Sequence, residues 1–420
     1  MPFDIEQPAR LPDSCRAMAD FFQDGAVATL HRLGAGDPAR LERELEAFSA
    51  ARPIALVLPC HADELGTPAL GGILNELREV RYLAQIVVGI DAADAGAWAH
   101  AQKVFSVLPQ NPVLLWIDGP RLSKWIQDLA RAGIDPGPGG KGRNLWMGFG
   151  YVLAHNIAHM VAVHDCDIPT YNREMLARLC YPVAHPHFGF AFCKGYSARF
   201  TDRLHGRVMR LLFTPLLRSM KSLLGPCEIL SFLDAFRYPL SGEVSLRTDI
   251  LRRLRIPCDW GVETGMLAEV FRLCPPESLC QIDIAERYDH KHRDLSPDDP
   301  GRGLNKMARD IVRRVFQSLA AQGAHLDRGI FDRLMPAYAR AAGETLRACA
   351  SDAEVNGLLY DRRDEELAVT TFAGALRAAA NSHLCDPLGN PMIPEWHLVE
   401  SSLPDFLPSL LEAVAADNRQ

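Results

Sequence analysis

Met160-Val161-Ala162-Val163-His164-Asp165-Cys166-Asp167 decides how the chain is read. Its first residues are apolar, and charge follows abruptly. A short run of this kind suits a buried strand of a parallel sheet. Ile168-Pro169-Thr170 then stops it. Carboxylates at i and i+2 leave an extended backbone on the same side. Asp165 and Asp167 could therefore serve a hard divalent cation carrying phosphate oxygens. The other reading is a strand-end Asp that caps the next helix.

The segments before this one repeat the pattern. Ile54-Ala55-Leu56-Val57-Leu58-Pro59 is a continuous apolar strand, followed by Cys60-His61-Ala62-Asp63-Glu64 and a helix over residues 71–80. Residues 84–90 form the next strand and end at Asp91; residues 97–105 are helical, and residues 112–117 form a third apolar run. Strand alternating with helix predicts an α/β fold with a mostly parallel, Rossmann-like sheet. Ligands of such sheets sit beyond the carboxyl ends of the strands, where Asp63, Asp91, Asp165 and Asp167 all fall. Residues 133–143 are rich in glycine and proline and carry Lys141 just ahead of a predicted helix over 144–154. Backbone N–H groups and an ammonium placed there can hold a pyrophosphate, although the order of residues is not that of a Walker loop. His155 and His159 have helical i,i+4 spacing, but no Glu follows His155 and the run turns to strand at Met160, so they do not read as a metal pair.

Composition narrows the function. The chain has 420 residues and a formal net charge of −7, which argues against general nucleic-acid binding. Its 11 cysteines are odd in number and include no C-x-x-C, the pattern of reduced thiols in a cytoplasm. No apolar run approaches the ~18 residues of a membrane span, and residues 1–6 do not read as a signal peptide. Within this acidic chain, residues 194–221 carry seven basic residues against the single acid Asp202. Arg199, Arg203 and Arg207 are four apart and would form one stripe on a helix that Pro215 kinks or ends. Guanidinium groups grip carboxylate or phosphate bidentately, so the stripe reads as an anion site.

Residues 1–50 read as an accessory segment, with helices over 14–22 and 38–48 and a short edge strand over 26–30. A loop over 297–303 marks a boundary, so 51–296 would be the ligand-binding domain. Helical patterns over 304–321, 331–348, 365–380 and 404–416 predict a helical C-terminal region, 297–420, with few chemical groups.

In this order the pieces resemble a GT-A nucleotide-sugar glycosyltransferase, and more narrowly the retaining glucosyl-3-phosphoglycerate and mannosyl-3-phosphoglycerate synthases. The resemblance runs from about residue 26 to 295 and is carried by seven motifs. They are Leu58-Pro59 with Asp63-Glu64, Gly140-Lys141-Gly142, Asp165-Cys166-Asp167, Gly206-Arg207-Val208, Leu240-Ser241-Gly242-Glu243, Gly261-Val262-Glu263 and His290-Lys291-His292.

The resemblance implies a sugar nucleoside diphosphate as donor, a small anionic acceptor, Mg²⁺ or Mn²⁺ as cofactor, and a homodimer. It places Pro59, Cys60, Asp63, Glu64 and Asp91 at base and ribose, Lys141 at the diphosphate, and Asp165 and Cys166 beside the donor. It gives Asp167 to the metal with His290, or alternatively His292. Leu240, Gly242 and Glu243 would lie along the sugar and acceptor, Glu263 near the reacting centre, and Arg207, Val208 and Met209 at the acceptor. Two positions depart from the family. Cys60-His61-Ala62-Asp63 replaces Ala-Leu-Asn-Glu, which leaves uracil or guanine open. Met209 stands where a threonine commonly helps to hold the acceptor phosphate, and a thioether cannot donate a hydrogen bond. A sugar-phosphate nucleotidyltransferase and a non-catalytic sugar-nucleotide binding module are the alternatives. The first normally has its glycine loop after the first strand, and the second predicts loss of the acidic site.

Overall fold

The computed structural model describes residues 27–34, 36–389 and 392–419. The continuous apolar runs form the strands, because only a sheet covered on both faces can bury them whole. In chain order the first half contains β1 (Ala28–Leu30), α1 (Pro38–Ser49), β2 (Ile54–His61), α2 (Pro68–Leu77), β3 (Leu83–Asp91), α3 (Ala95–Phe105), β4 (Val113–Trp116), α4 (Pro120–Arg131), α5 (Lys141–His155), β5 (Met160–Val163) and α6 (Arg173–Ala184). The second half contains β6 (Phe192–Ser197), α7 (Thr214–Leu224), α8 (Glu228–Ala235), β7 (Val244–Arg247), α9 (Thr248–Leu251), β8 (Ile256–Pro257), α10 (Val262–Leu273) and β9 (Leu279–Ala285). It ends in α11 (Gly303–Ala321), α12 (Arg328–Val355), α13 (Arg362–Cys385), β10 (Met392–Ile393), α14 (Trp396–Ser402) and α15 (Phe406–Asn418).

Among the described residues, eight strands form one sheet in the order β1-β9-β6-β7-β5-β2-β3-β4. Seven run in one direction, and β7 runs antiparallel between β5 and β6. That reversal positions the site, because the start of β7 reaches the same sheet edge as the ends of its neighbours. The loop before β7, which carries Leu240 and Gly242, thus arrives beside the end of β5. One apolar cluster covers the sheet with α1, α2, α3 and α6, and the other with α4, α5 and the later helices.

Both flanking regions join this body. β1, from the segment expected to be accessory, pairs in parallel with β9 at the sheet edge. The helix expected over 14–22 lies outside the described residues. The predicted C-terminal helices are present, and they return to the sheet rather than projecting from it. Asn418 bonds both the N–H and the C=O of Leu114 on edge strand β4 (3.2 and 2.7 Å), which occupies groups that an exposed edge would leave open. β10 pairs antiparallel with β8. Trp396 stacks on Trp146 of α5 with centroids 4.0 Å apart, and its indole N–H donates to the Trp146 carbonyl at 2.9 Å.

The predicted arginine helix is a correction. Lys194 belongs to β6, and Arg199–Gly206 is a loop closed by a bridge between Phe200 and Leu204. Gly206, at φ +71°, ends that loop, and helical structure starts only at Arg207. Residues Val208–Phe213 form a π turn that runs directly into α7. Pro215 therefore sits in the first turn of α7, after a widened turn that accommodates its ring, and does not end the helix.

Trp396 is 1% exposed and joins the C-terminal region to α5. Trp396→Ala should lower unfolding free energy by about 3–5 kcal/mol in chemical denaturation. A loss below about 1 kcal/mol would mean that the region folds independently of this contact.

Candidate active site

A cavity of about 1120 Å³ opens at the carboxyl edge of the sheet. Its floor is Lys141, the first residue of α5. Gly142 allows the approach of α5 to β8, since a Cβ there would lie 1.9 Å from the Pro257 carbonyl oxygen. The Lys141 Nζ lies 2.7 and 3.0 Å from the two Asp165 oxygens and 3.1 Å from Glu263 Oε1. Burial alone would lower the pKa of this ammonium, but Asp165 and Glu263 more than reverse that and hold it firmly protonated. In return Lys141 overcomes the burial of Asp165 and lowers its pKa.

Asp167 is the opposite case. Burial first, then the charges of Asp165 and Glu64, raise its pKa to about 7. The Lys291 N–H donates to the Asp167 carbonyl at 3.2 Å, which joins the 288–292 segment to the end of β5. Burial, then Arg199, lowers the pKa of His290 to about 3, so its imidazole is neutral, and its buried Nδ1 has no hydrogen-bond partner among the described residues. A crowded carboxylate and an unprotonated imidazole on adjoining segments suit a divalent cation, which would relieve the repulsion among the acids. His292 is engaged elsewhere: its Nε2 lies 3.0 Å from Asp289 Oδ1, and its ring stacks on His205 at 4.0 Å.

Most of the expected residues share the cavity. Pro59, Cys60, Glu64, Asp91, Cys166, Arg207, Val208, Met209, Leu240, Gly242, Glu263 and His292 line it with Lys141, Asp165, Asp167 and His290. Two expected residues do not. Asp63, with a side chain 75% exposed, turns away, and its backbone N–H donates to His61 Nδ1 at 3.2 Å. Glu243 is buried behind the wall, where it accepts from Ser241 Oγ (2.5 Å) and Tyr288 Oη (2.5 Å) and pairs with Arg199 at 3.4 Å. It carries the loop before β7 and does not face the cavity.

Several other residues line the wall, and of these sequence reasoning named only Arg199, within the basic run and without a place at the site. Arg199 lies between the rings of Tyr238 and Tyr288, 4.0 and 4.2 Å from their centroids. Arg293 lies 4.5 Å above Trp260. Lys306 and Met307 of α11 and Asp364 of α13 close one side of the cavity. The Arg199 signal was present in the basic run, whereas the α11 and α13 residues are brought in only by the tertiary fold.

A mostly parallel sheet with an acidic, lysine-centred cavity at its carboxyl edge defines a nucleotide-sugar glycosyltransferase of the GT-A class. Comparison with known proteins makes this narrower. The glucosyl-3-phosphoglycerate synthase of Persephonella marina is 39% identical over 401 residues, which cover 96% of this chain and 99% of its own. That of Methanococcoides burtonii is 34% identical over 407 residues, covering 96% and 98%. The chain belongs to the glucosyl-3-phosphoglycerate synthase family. Among solved structures, Mycobacterium tuberculosis glucosyl-3-phosphoglycerate synthase with Mn²⁺, UDP-glucose and phosphoglyceric acid aligns at TM-score 0.52 and 21% identity, over 73% of this chain and 90% of that one. Rubrobacter xylanophilus mannosyl-3-phosphoglycerate synthase aligns at TM-score 0.51 and 21% identity, over 71% and 83%. These two share the fold. No protein-family model matches the chain, and no helix among the described residues is long and apolar enough to cross a membrane.

A Cβ on Gly242 would lie 2.6 Å from Asp165 Oδ2 and 3.1 Å from Lys141 Nζ. Gly242→Ala should therefore displace the lysine–carboxylate pair. Misplacement by about 1 Å near reacting groups can cost about 10²-fold in rate, so kcat/KM for transfer should fall by about that factor with unchanged circular dichroism. Activity within about threefold of wild type would show that the pair tolerates movement.

Proposed function

We propose that this protein transfers glucose, with retention, from UDP-glucose to 3-phosphoglycerate, using Mg²⁺ or Mn²⁺. One observation carries the reading: a half-buried, firmly protonated lysine bound to the first Asp of a D-x-D pair whose second Asp makes no ion pair among the described residues. That arrangement suits a nucleoside diphosphate as leaving group. The names of the relatives supply the sugar and the acceptor, as do the UDP-glucose and phosphoglyceric acid in the M. tuberculosis complex.

In this reading Asp167 and His290 hold the cation. When bound, the cation neutralises diphosphate oxygens whose charge grows as the sugar departs. Lys141 supplies a second fixed positive charge to the same oxygens, preorganised by Asp165 and Glu263. The Glu263 carboxylate faces the cavity 3.1 Å from Lys141, where a negative charge favours the positive character that develops on the sugar. Glu64 and Asp91 line the base and ribose end, and burial raises the pKa of each above the ordinary carboxylate range. The Leu240–Gly242 backbone lies along the sugar. Arg207 takes the charged end of the acceptor beside Met209, which offers apolar contact where a hydroxyl would donate. A homodimer in the cytoplasm completes the proposal; light scattering should give twice the chain mass at micromolar concentration.

Asp167→Ala should abolish transfer and remove the metal dependence of UDP binding in calorimetry while the protein stays folded. Equal UDP affinity with and without metal in wild type would reject Asp167 and His290 as the cation site. Arg207→Ala loses a charged hydrogen bond worth about 1.5–3 kcal/mol, so the acceptor KM should rise at least about tenfold. A neutral sugar preferred over 3-phosphoglycerate and glycerate in a panel of acceptors would reject the anionic acceptor.

A further inference from the structure

Arg207 sits where the acceptor loop meets the C-terminal helices. The Leu359 N–H, just before α13, donates to the Asp202 carbonyl at 2.7 Å, which ties the start of α13 to that loop. The first turn of α13 then presents two consecutive carboxylates to the same guanidinium in different ways. Glu365 is 4% exposed. Its Oε1 accepts from Arg207 Nε at 2.9 Å, and its Oε2 accepts from Arg210 Nη1 at 2.7 Å. Arg210 is itself anchored by its Nε to the His205 carbonyl at 2.8 Å. Glu365 thus grips Arg207 from the Nε side. Asp364 has a side chain 58% exposed, lies 3.7 Å from Arg207 Nη2, and lines the main cavity, which Glu365 does not.

We propose that this pair tunes acceptor recognition from outside the sheet domain, resting on the assignment of Arg207 to the acceptor. Glu365 is a positioning residue that fixes the guanidinium with its Nη groups available. Asp364 is a competing carboxylate that an incoming anion displaces from Nη2. A buried carboxylate held by two guanidiniums is too firmly bound to be displaced, whereas an exposed one at 3.7 Å is held weakly. The two adjacent acids therefore act on acceptor affinity with opposite sign. The site consequently favours acceptors whose anion outcompetes a single, weakly held carboxylate, such as a phosphate.

The test measures KM for 3-phosphoglycerate and for UDP-glucose, together with Tm, in full-length Glu365→Gln, Asp364→Asn and Arg207→Ala. Asp364→Asn should lower the acceptor KM about two- to fivefold, the range expected for removal of one exposed competing charge. Glu365→Gln should raise it about tenfold or more, since the grip on Nε is a charged hydrogen bond. The donor KM should stay within twofold in both. A merely structural Glu365 would lower Tm without moving the acceptor KM apart from the donor KM, and that result would overturn the proposal. So would an unchanged or raised acceptor KM in Asp364→Asn, which stands alone if Glu365→Gln does not fold. If Arg207→Ala leaves the acceptor KM unmoved, the acceptor assignment fails and the proposal fails with it. If Arg207→Ala raises it while neither acid variant does, only the proposal fails.

Discussion

The Lys141 ammonium joins three parts of the chain that are far apart in sequence: the start of α5, the end of β5 through Asp165, and the first turn of α10 through Glu263. A buried charge survives only when its partners offset lost hydration. Once both carboxylates are supplied, the three elements are held at one separation. In the proposed reaction the cost of partial burial would become preorganisation, because a positive centre already partly withdrawn from water needs little rearrangement to meet a diphosphate. Asp167 completes the logic, since burial first and then the nearby charges of Asp165 and Glu64 raise its pKa, and a cation would favour its charged form.

Beneath this layer lies a second polar network that keeps the loop before β7 in place. Lys194 is buried, donates to the Ser241 carbonyl at 2.5 Å, and has its pKa lowered by burial to about 8. Glu243 accepts from Ser241 and Tyr288, while Arg199 reaches it from between two tyrosine rings. Buried polar groups that satisfy one another specify a single backbone arrangement more sharply than apolar packing does. Here the specified backbone is Leu240–Gly242, which passes within contact of the lysine–carboxylate pair.

Apolar runs punctuated by Pro and Asp located β2, β3, β4 and β5, because strands buried on both faces leave an unbroken signal. The D-x-D and the lysine after a glycine loop were legible for the same reason: turn residues and a strand terminus locate them without tertiary knowledge. The direction of β7 was not legible, since four residues carry no mark of orientation. The basic run from Lys194 to Lys221 misled because i,i+4 spacing also occurs in loops, and Gly206 broke the helix that the spacing suggested. Glu243 misled because a motif acid can serve as a buried strut. Asp364 and Glu365 were invisible as site residues, since only packing of α13 brings them within reach of Arg207, more than 150 positions earlier.

Stereochemistry and metal dependence together test the central claim most directly. Purified protein, UDP-glucose and 3-phosphoglycerate would be incubated with Mg²⁺ or Mn²⁺, or with a chelator, and the anomeric proton of the product read by NMR. Metal-assisted departure of UDP with retention predicts an α-linked glucosyl product that forms with metal and not with chelator. A β-linked product, or equal yield in chelator, would contradict it.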